Sequence, residues 1–517
     1  MISLQRVFTR CARLKPAGIA TLCGERQWTW QESQNRVARF AAGLNSLGLD
    51  DGERVALLGL NSDRYLESFF SIAWAGLTMV PLNIRWAIPE NIYALDDSGA
   101  RVLLFDDAFL PQVEAFRSKV SSLNIYIYFG DGEAPEWALS YEKLIETNAP
   151  AIESARCDND TVGIFYTGGT TGFPKGVEHS HSALWSSALG STDGVALDRN
   201  SIYLHAAPMF HIADFVGSFI SLIGGATHAF IPMFDTDATL KAIADFRVTN
   251  VMLVPAMIKM LLQHPDIDTA DMSSVKTISY GASPMPSELL KVILNKWPQI
   301  GLTQAYGQTE LAPMVSVLSE DDHRAGGERL KSAGRANLIS EVRIVDEQDN
   351  DCPLGTAGEI IVRGPHTMKG YWNKPKETAH ALRDGWVYTG DAGYFDEDGY
   401  IFIVDRVKDM VVTGGENVFT GEVENSLIAH PAVKDVAVIG IPDDEWGEAV
   451  HAIVILHEGA DVRAQELIEH CHTLIAGYKC PKAITYRQEP LPLTGAGKVL
   501  KTELRRPFWA GQERSVN

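Results

Sequence analysis

From about residue 50 to residue 320, short apolar runs rich in β-branched and aromatic residues alternate with longer segments of helical period. The runs are RVALLGL (54–60), RVLLF (101–105), IYIYF (125–129), SIYLHAAP (201–208), ATHAFIP (226–232), NVMLVP (250–255) and VKTISYGAS (275–283). Between them lie stretches such as SELLKVILNKW (287–297), whose apolar residues recur at three and four. This alternation implies an α/β fold of mainly parallel sheets covered by helices on both faces. Ligands of such sheets collect at the carboxyl ends of strands, where YTGGTTG, YGASPMP and QAYGQTE stand.

After residue 330 the texture changes. EVRIVDEQDN, GEIIVRGP and GYIFIVD read as short strands of a small β-rich subdomain. VKDVAVIGIPD and AVHAIVIL then suggest a separate small α/β domain, joined through the polar DRVKDM (405–410). A chain of 517 residues is too long for one core, and the expected division is 1–407 and 408–517. The first fifteen residues, MISLQRVFTRCARLK, carry basic residues and no acid, as a transit peptide would. We read them instead as an amphipathic helix burying Leu4, Val7, Phe8 and Leu14.

No apolar stretch is long enough to cross a bilayer. With 45% hydrophobic and 21% charged residues the composition is that of a soluble globular protein. A net charge of −21 argues against nucleic acid or an anionic membrane as the main partner. Six scattered cysteines with no C-x-x-C pair fit reduced thiols, so a cytoplasmic location is expected. Oligomeric state is not legible, and a homodimer remains open.

YTGGTTGFPKG (166–176) follows a strand-like TVGIFYT and concentrates glycines, hydroxyls and a lysine. Backbone N–H groups of such a turn can converge on phosphate. It is neither a Walker loop nor a G-x-G-x-x-G dinucleotide loop. In EHSH (178–181), Glu178, His179 and His181 have no fourth ligand at a familiar spacing, and His205 stands apart, which argues against zinc. His181 more plainly starts the next helix.

YTGGTTGFPKG, PMFH (208–211), YGASPMP (280–286), AYGQTE (305–310), YTGD (388–391), DRVKDMVVTGGENVF (405–419) and PLTGAGKVLK (492–501) occur in that order. Together they resemble the adenylate-forming superfamily: acyl- and aryl-CoA synthetases, adenylation domains of nonribosomal peptide synthetases and beetle luciferases. The resemblance covers essentially the whole chain. It implies that a carboxylate attacks the α-phosphate of ATP, giving acyl-AMP and pyrophosphate, and that a thiol then expels AMP.

For the nucleotide the resemblance implies Thr167, Gly168, Gly169, Thr170, Thr171 and Lys175 at the β- and γ-phosphates. Many relatives have serine in place of Gly168, a change we expect to be tolerated. Gly281, Ala282, Ser283, Ala305, Tyr306, Gly307, Gln308 and Thr309 would line the nucleotide, Tyr306 stacking on adenine and Thr309 bonding the α-phosphate. Glu310, with Thr170, would hold Mg²⁺, which takes only one or two carboxylates. Asp391 would accept the ribose hydroxyls, with Arg406 as a second contact; a surface salt bridge would explain either alone. Lys498 would bridge the attacking carboxylate and the α-phosphate.

Lys408 matches the family's hinge. Gly414 and Gly415 would let a pantetheine arm pass, with Trp446 packed against it. Lys479 and Lys482 are the candidate contacts for the CoA phosphates, although Cys480 stands where some relatives have arginine. His211, Ala213, Asp214, Phe215, Gly217, Ala305, Gly307, Pro313 and Met314 match acyl-pocket positions, with His211 a gate beside the reacting acid. They include no lysine or arginine, which suggests a fatty or aryl monocarboxylic acid. Asp214 would either accept a bond from a substrate hydroxyl or amine, or cap a helix and point away.

The expected reaction is acid + ATP + CoA to acyl-CoA + AMP + pyrophosphate, with Mg²⁺ as cofactor. An enzyme loading a carrier protein, a luciferase-like oxidase and a nucleotide-binding regulator without catalysis are its rivals. Aspartate usually stands where this chain has His211 when the substrate is an amino acid, which counts against that class.

Overall fold

The computed structural model describes the chain except residues 168–173, 193, 196, 284, 408, 414–415, 444–445, 494–498 and 511–517, and the side chains of 416 and 417. It divides into two compact units, Met1–Glu341 with Val362–Val387, and Val342–Ile361 with Tyr388–Asn517.

The first unit contains two large sheets. In the nine-stranded sheet the spatial order is Arg335–Ala336, Met314–Leu318, Gly301–Gly307, Thr277–Gly281, Asn250–Leu253, Ile202–His205, Thr227–Phe230, Ile19–Cys23 and Arg26–Thr29. Its middle, from Gly301–Gly307 to Ile19–Cys23, is parallel. Antiparallel strands close both edges.

The eight-stranded sheet runs Gly370–Tyr371, Lys175–Ser180, Thr161–Thr167, Thr78–Pro81, Arg54–Leu58, Val102–Phe105, Ile125–Tyr128 and Leu139–Ser140. It is parallel from Thr161–Thr167 onward. Each of the seven apolar runs forms one of these strands, and SELLKVILNKW forms the helix Ser287–Lys296.

Helix ends follow local chemistry. Trp30–Asn45 opens with a reciprocal capping box between Thr29 and Glu32. Ile212–Gly224 ends at Gly225, whose left-handed φ of 76° favours a residue without Cβ. The first helix, Arg6–Leu14, buries Leu4, Val7 and Phe8 as expected, but Leu14 is 64% exposed. Cys11 and Ala12 complete the buried stripe, and Leu14, one i+7 step beyond Val7, is the last residue of the helix and faces solvent.

In the second unit, Trp386–Phe395 pairs antiparallel with Ile401–Arg406. A further sheet is built on the antiparallel pair Val433–Asp443 and Gly447–Leu456, with Ala483–Tyr486 added parallel. Helices Thr420–Ile428 and Ala464–His472 contribute Val423, Leu427, Leu467 and Cys471 to its core. The fold is thus mixed α/β, with a β-rich portion and a C-terminal α/β portion.

One buried ion network ties helices of the first unit. Arg36 donates from Nε to Glu67 at 2.8 Å and from both terminal nitrogens to Glu142 at 2.8 and 2.9 Å. The other Glu67 oxygen accepts from Tyr141 at 2.9 Å, and the Glu67 side chain is fully buried. Removing one partner of such a pair strands a charge in the core. Arg36→Ala is therefore expected to cost about 3–5 kcal/mol, read as a lowered thermal midpoint. Arg36→Ala with Glu67→Gln is expected to recover part of it.

Candidate active site

The glycine-rich loop joins two antiparallel strands, with Thr167 and Lys175 in register at its base. Thr167 Oγ1 donates to the Lys175 carbonyl at 3.5 Å. Gly168, Gly169, Thr170, Thr171 and Gly172 lie outside the described residues.

Lys175 Nζ sits 4.0 Å from the centroid of the Tyr371 ring, a cation–π contact of about 0.5–2 kcal/mol. The Tyr371 hydroxyl donates to Glu310 Oε1 at 2.7 Å. Burial and the Glu310 carboxylate push this phenol's pKa up, so it holds its proton and acts as donor. Thus the glycine-rich loop's lysine and the carboxylate of AYGQTE meet through a residue the motifs did not single out. Its signal was GYW (370–372), an aromatic pair in the otherwise polar KGYWNKPKE.

Thr309 and Glu310 stand in the 3₁₀ turn Thr309–Leu311, just past the strand Gly301–Gly307. Two contacts fix that turn. His179 Nε2 donates to the Thr309 carbonyl at 2.6 Å, and the Met368 N–H donates to the Glu310 carbonyl at 2.9 Å. Burial lowers the His179 pKa to about 4, so its neutral ring carries the single proton on Nε2. His181 opens the helix His181–Gly190 as expected, and its Nδ1 accepts from the Leu4 N–H at 3.2 Å.

Gly281 and Ala305 are in register, and a Cβ on Gly281 would lie 2.4 Å from the Ala305 carbonyl oxygen. A Cβ on Gly307 would lie 1.8 Å from the Pro313 carbonyl oxygen. Backbone approach therefore demands glycine at both strand ends. Ala282 adopts φ 64° directly after Gly281. Ala282, Ser283, Tyr306 and Gln308 are half-buried, and Gln308 Nε2 is buried without a hydrogen-bond acceptor among the described residues.

His211 is the N-cap of Ile212–Gly224, its Nδ1 accepting from the Ala213 N–H at 3.2 Å. Ala213 and Gly217 are half-buried on that helix, while Phe215 is buried edge-on against Phe69 at 4.8 Å. Phe215 and Met314 share one apolar cluster, with Ala305 packed against it, and Pro313 is buried.

Asp214 is not the helix cap. Its carboxylate is buried and accepts from Tyr203 at 3.3 Å, and it meets His205 Nδ1 at 2.7 Å. His205 Nε2 in turn meets His228 Nδ1 at 2.9 Å. Sequence spacing did not foresee this network, because Tyr203, His205 and His228 come from neighbouring strands of one sheet.

In the second unit, Asp391 and Arg406 are cross-strand partners, with Arg406 Nε 2.6 Å from Asp391 Oδ1. Lys408, Gly414, Gly415 and Lys498 lie outside the described residues. Lys482 lies 5.0 Å from the Trp446 ring centroid and 3.5 Å from Asp443. Lys479 is held by both Glu422 oxygens at 2.8 and 2.7 Å. Cys480 is buried, its thiol against the Ala476 carbonyl.

Chemically, the first unit sets a cation, hydroxyl groups and one carboxylate at strand ends. One carboxylate suits a hard cation that keeps waters and phosphate oxygens. Among the described residues no cluster of three His, Cys, Asp or Glu forms a metal cage. Glu310 thus fits Mg²⁺ as the expected single acidic contact; Thr170, the other, lies outside the described residues.

Residues 8–372 match the model of the AMP-binding enzyme family, and residues 422–498 that of the AMP-binding enzyme C-terminal domain. A feruloyl-CoA synthase from an Amycolatopsis species is 38% identical over 511 residues, spanning 96% of this chain and 98% of its own. A long-chain-fatty-acid–CoA ligase from Mycobacterium tuberculosis is 35% identical over 489 residues, 93% of each chain. The solved o-succinylbenzoate CoA synthetase of Bacillus subtilis, in complex with its acyl-adenylate intermediate, superposes with a TM-score of 0.83 at 29% identity over 98% of each chain. Joined to the ordered motifs and their strand-end placement, these matches show that the chain belongs to the AMP-binding enzymes, among the acyl- and aryl-CoA ligases.

Proposed function

We propose that this chain is an ATP-dependent carboxylic acid–CoA ligase acting through an acyl-adenylate on a hydrophobic fatty or aryl monocarboxylic acid. The observation that carries the reading is the contact line Lys175–Tyr371–Glu310, which joins the glycine-rich loop to the AYGQTE turn within one unit. Lys175 and the loop donors take the β- and γ-phosphates that leave as pyrophosphate. Glu310 and Thr170 would hold Mg²⁺, which would supply neutralisation of phosphate charge when bound. Thr309 meets the α-phosphate, Asp391 and Arg406 the ribose, and Lys498 the attacking carboxylate.

For the second step the thiol of CoA attacks the acyl carbonyl and AMP departs. The domain beginning at Lys408 turns between the two steps, withdrawing Lys498 and bringing Gly414 and Gly415 to the pantetheine. Trp446 is 45% exposed and has Lys482 beside it, which favours this pair as the CoA contact. Lys479 is less suited to a phosphate, because Glu422 already neutralises it.

The acyl positions favour an apolar body. Asp214 spends its carboxylate on Tyr203 and His205 and not on a substrate hydroxyl. Asp214→Ala leaves two buried donors unpaired, which costs about 1–3 kcal/mol each. It is expected to lower the thermal midpoint while leaving the rank order of accepted acids unchanged; a reordered preference would return Asp214 to the pocket.

The reaction is tested by pyrophosphate release with ATP and Mg²⁺ across fatty, phenylalkanoic, cinnamic and thioether acids, with and without CoA. CoA-stimulated release for one acid class is expected. Release indifferent to CoA would favour a carrier-protein acceptor, and none with any acid a binding-only role. Lys498→Ala is expected to abolish adenylation yet spare thioester formation from supplied acyl-AMP; equal damage to both steps would refute that division of labour.

A further inference from the structure

We propose that Tyr371 is a positioning residue of the adenylation step, orienting Lys175 and Glu310 without letting them pair with each other. The inference rests on the phosphate and metal roles proposed for those two residues. A lysine and a glutamate brought within reach of each other ordinarily form an ion pair, spending on each other the charges a polyphosphate and its cation would use. Here a phenol stands between them. Its ring face attracts the Lys175 ammonium at 4.0 Å without taking a strong hydrogen bond, so the three N–H donors stay available. Its hydroxyl occupies one Glu310 oxygen at 2.7 Å without neutralising the carboxylate. Among the described residues neither Lys175 nor Glu310 forms an ion pair.

The phenol is held firmly enough for this task. Tyr371 pairs with Val177 on the strand that Lys175 begins, so ring and lysine are set by one register. Its N–H donates to Thr378 Oγ1 at 2.9 Å, and its side chain packs with Val177 and Met368. Met368, three residues upstream, donates its N–H to the Glu310 carbonyl. A single short segment therefore grips Glu310 by both its backbone and its side chain. The arrangement explains why an aromatic with a hydroxyl is required: phenylalanine supplies the ring alone, and leucine supplies neither.

The test uses full-length Tyr371→Phe and Tyr371→Leu. Binding of a non-hydrolysable α,β-methylene ATP analogue is followed by calorimetry, with Mg²⁺ and with chelator, beside pyrophosphate release as Mg²⁺ is titrated. Tyr371→Phe keeps the packing and the ring contact. It is expected to leave metal-free affinity within about twofold while raising the Mg²⁺ needed for half-maximal binding about three- to tenfold. Tyr371→Leu is expected also to weaken metal-free binding by about threefold or more. Equal losses with and without Mg²⁺ in Tyr371→Phe, or wild-type behaviour of both variants, would overturn the proposal. Lys175→Ala and Glu310→Gln separate the two levels. If both are impaired while Tyr371→Phe is normal, Tyr371 has no positioning role and the site reading stands. If both behave as wild type, the site reading itself falls.

Discussion

Two consecutive carbonyls fasten the two large sheets where their strands end. The Thr309 carbonyl, past the end of a nine-stranded-sheet strand, accepts from His179 of the eight-stranded sheet. The Glu310 carbonyl accepts from Met368, just before the edge strand of that same eight-stranded sheet. His179 is held within its strand, and Met368 lies two residues before the edge strand Gly370–Tyr371. Through these two bonds the base of the glycine-rich hairpin and the AYGQTE turn acquire a common frame, and Lys175, Tyr371 and Glu310 fall into line. The placement follows the rule that ligands of open α/β sheets gather beyond the carboxyl ends of strands.

Most of the element order was legible in the sequence because the apolar runs are short, continuous and bounded by turn residues. Such runs, rich in β-branched and aromatic residues and too short for a helix, suit strands of a covered parallel sheet. The misreadings have physical causes. Leu14 shares a helix face with the buried Val7, but the helix ends at Leu14 and its side chain is exposed. The helix-cap reading of Asp214 fails because His211 is the cap, and the partners of Asp214 come from the adjacent sheet, where cross-element contacts leave no local pattern.

Tyr371 escaped for a related reason. Its role comes from a two-residue edge strand placed beside Lys175–Ser180 by nearly two hundred residues of intervening chain. Asp391 and Arg406 show the converse. Each was named singly from its motif, and the antiparallel register joins them as one pair. A net charge of −21 does not oppose a polyphosphate ligand under these conditions. Local cations held by rings and carboxylates set the potential at the site, and distant acids are screened within about 10 Å.

In the proposed reaction the acid's own carboxylate attacks the α-phosphate. This attack is tested most directly by supplying the best acid of the panel labelled with ¹⁸O in its carboxyl group, with ATP and CoA. The bond that forms joins a carboxylate oxygen to the α-phosphorus, and the bond broken by the thiol lies on the carbonyl side. One ¹⁸O is expected in the AMP released per thioester made, with unlabelled pyrophosphate. Label in phosphate or pyrophosphate, or AMP without label, would contradict it.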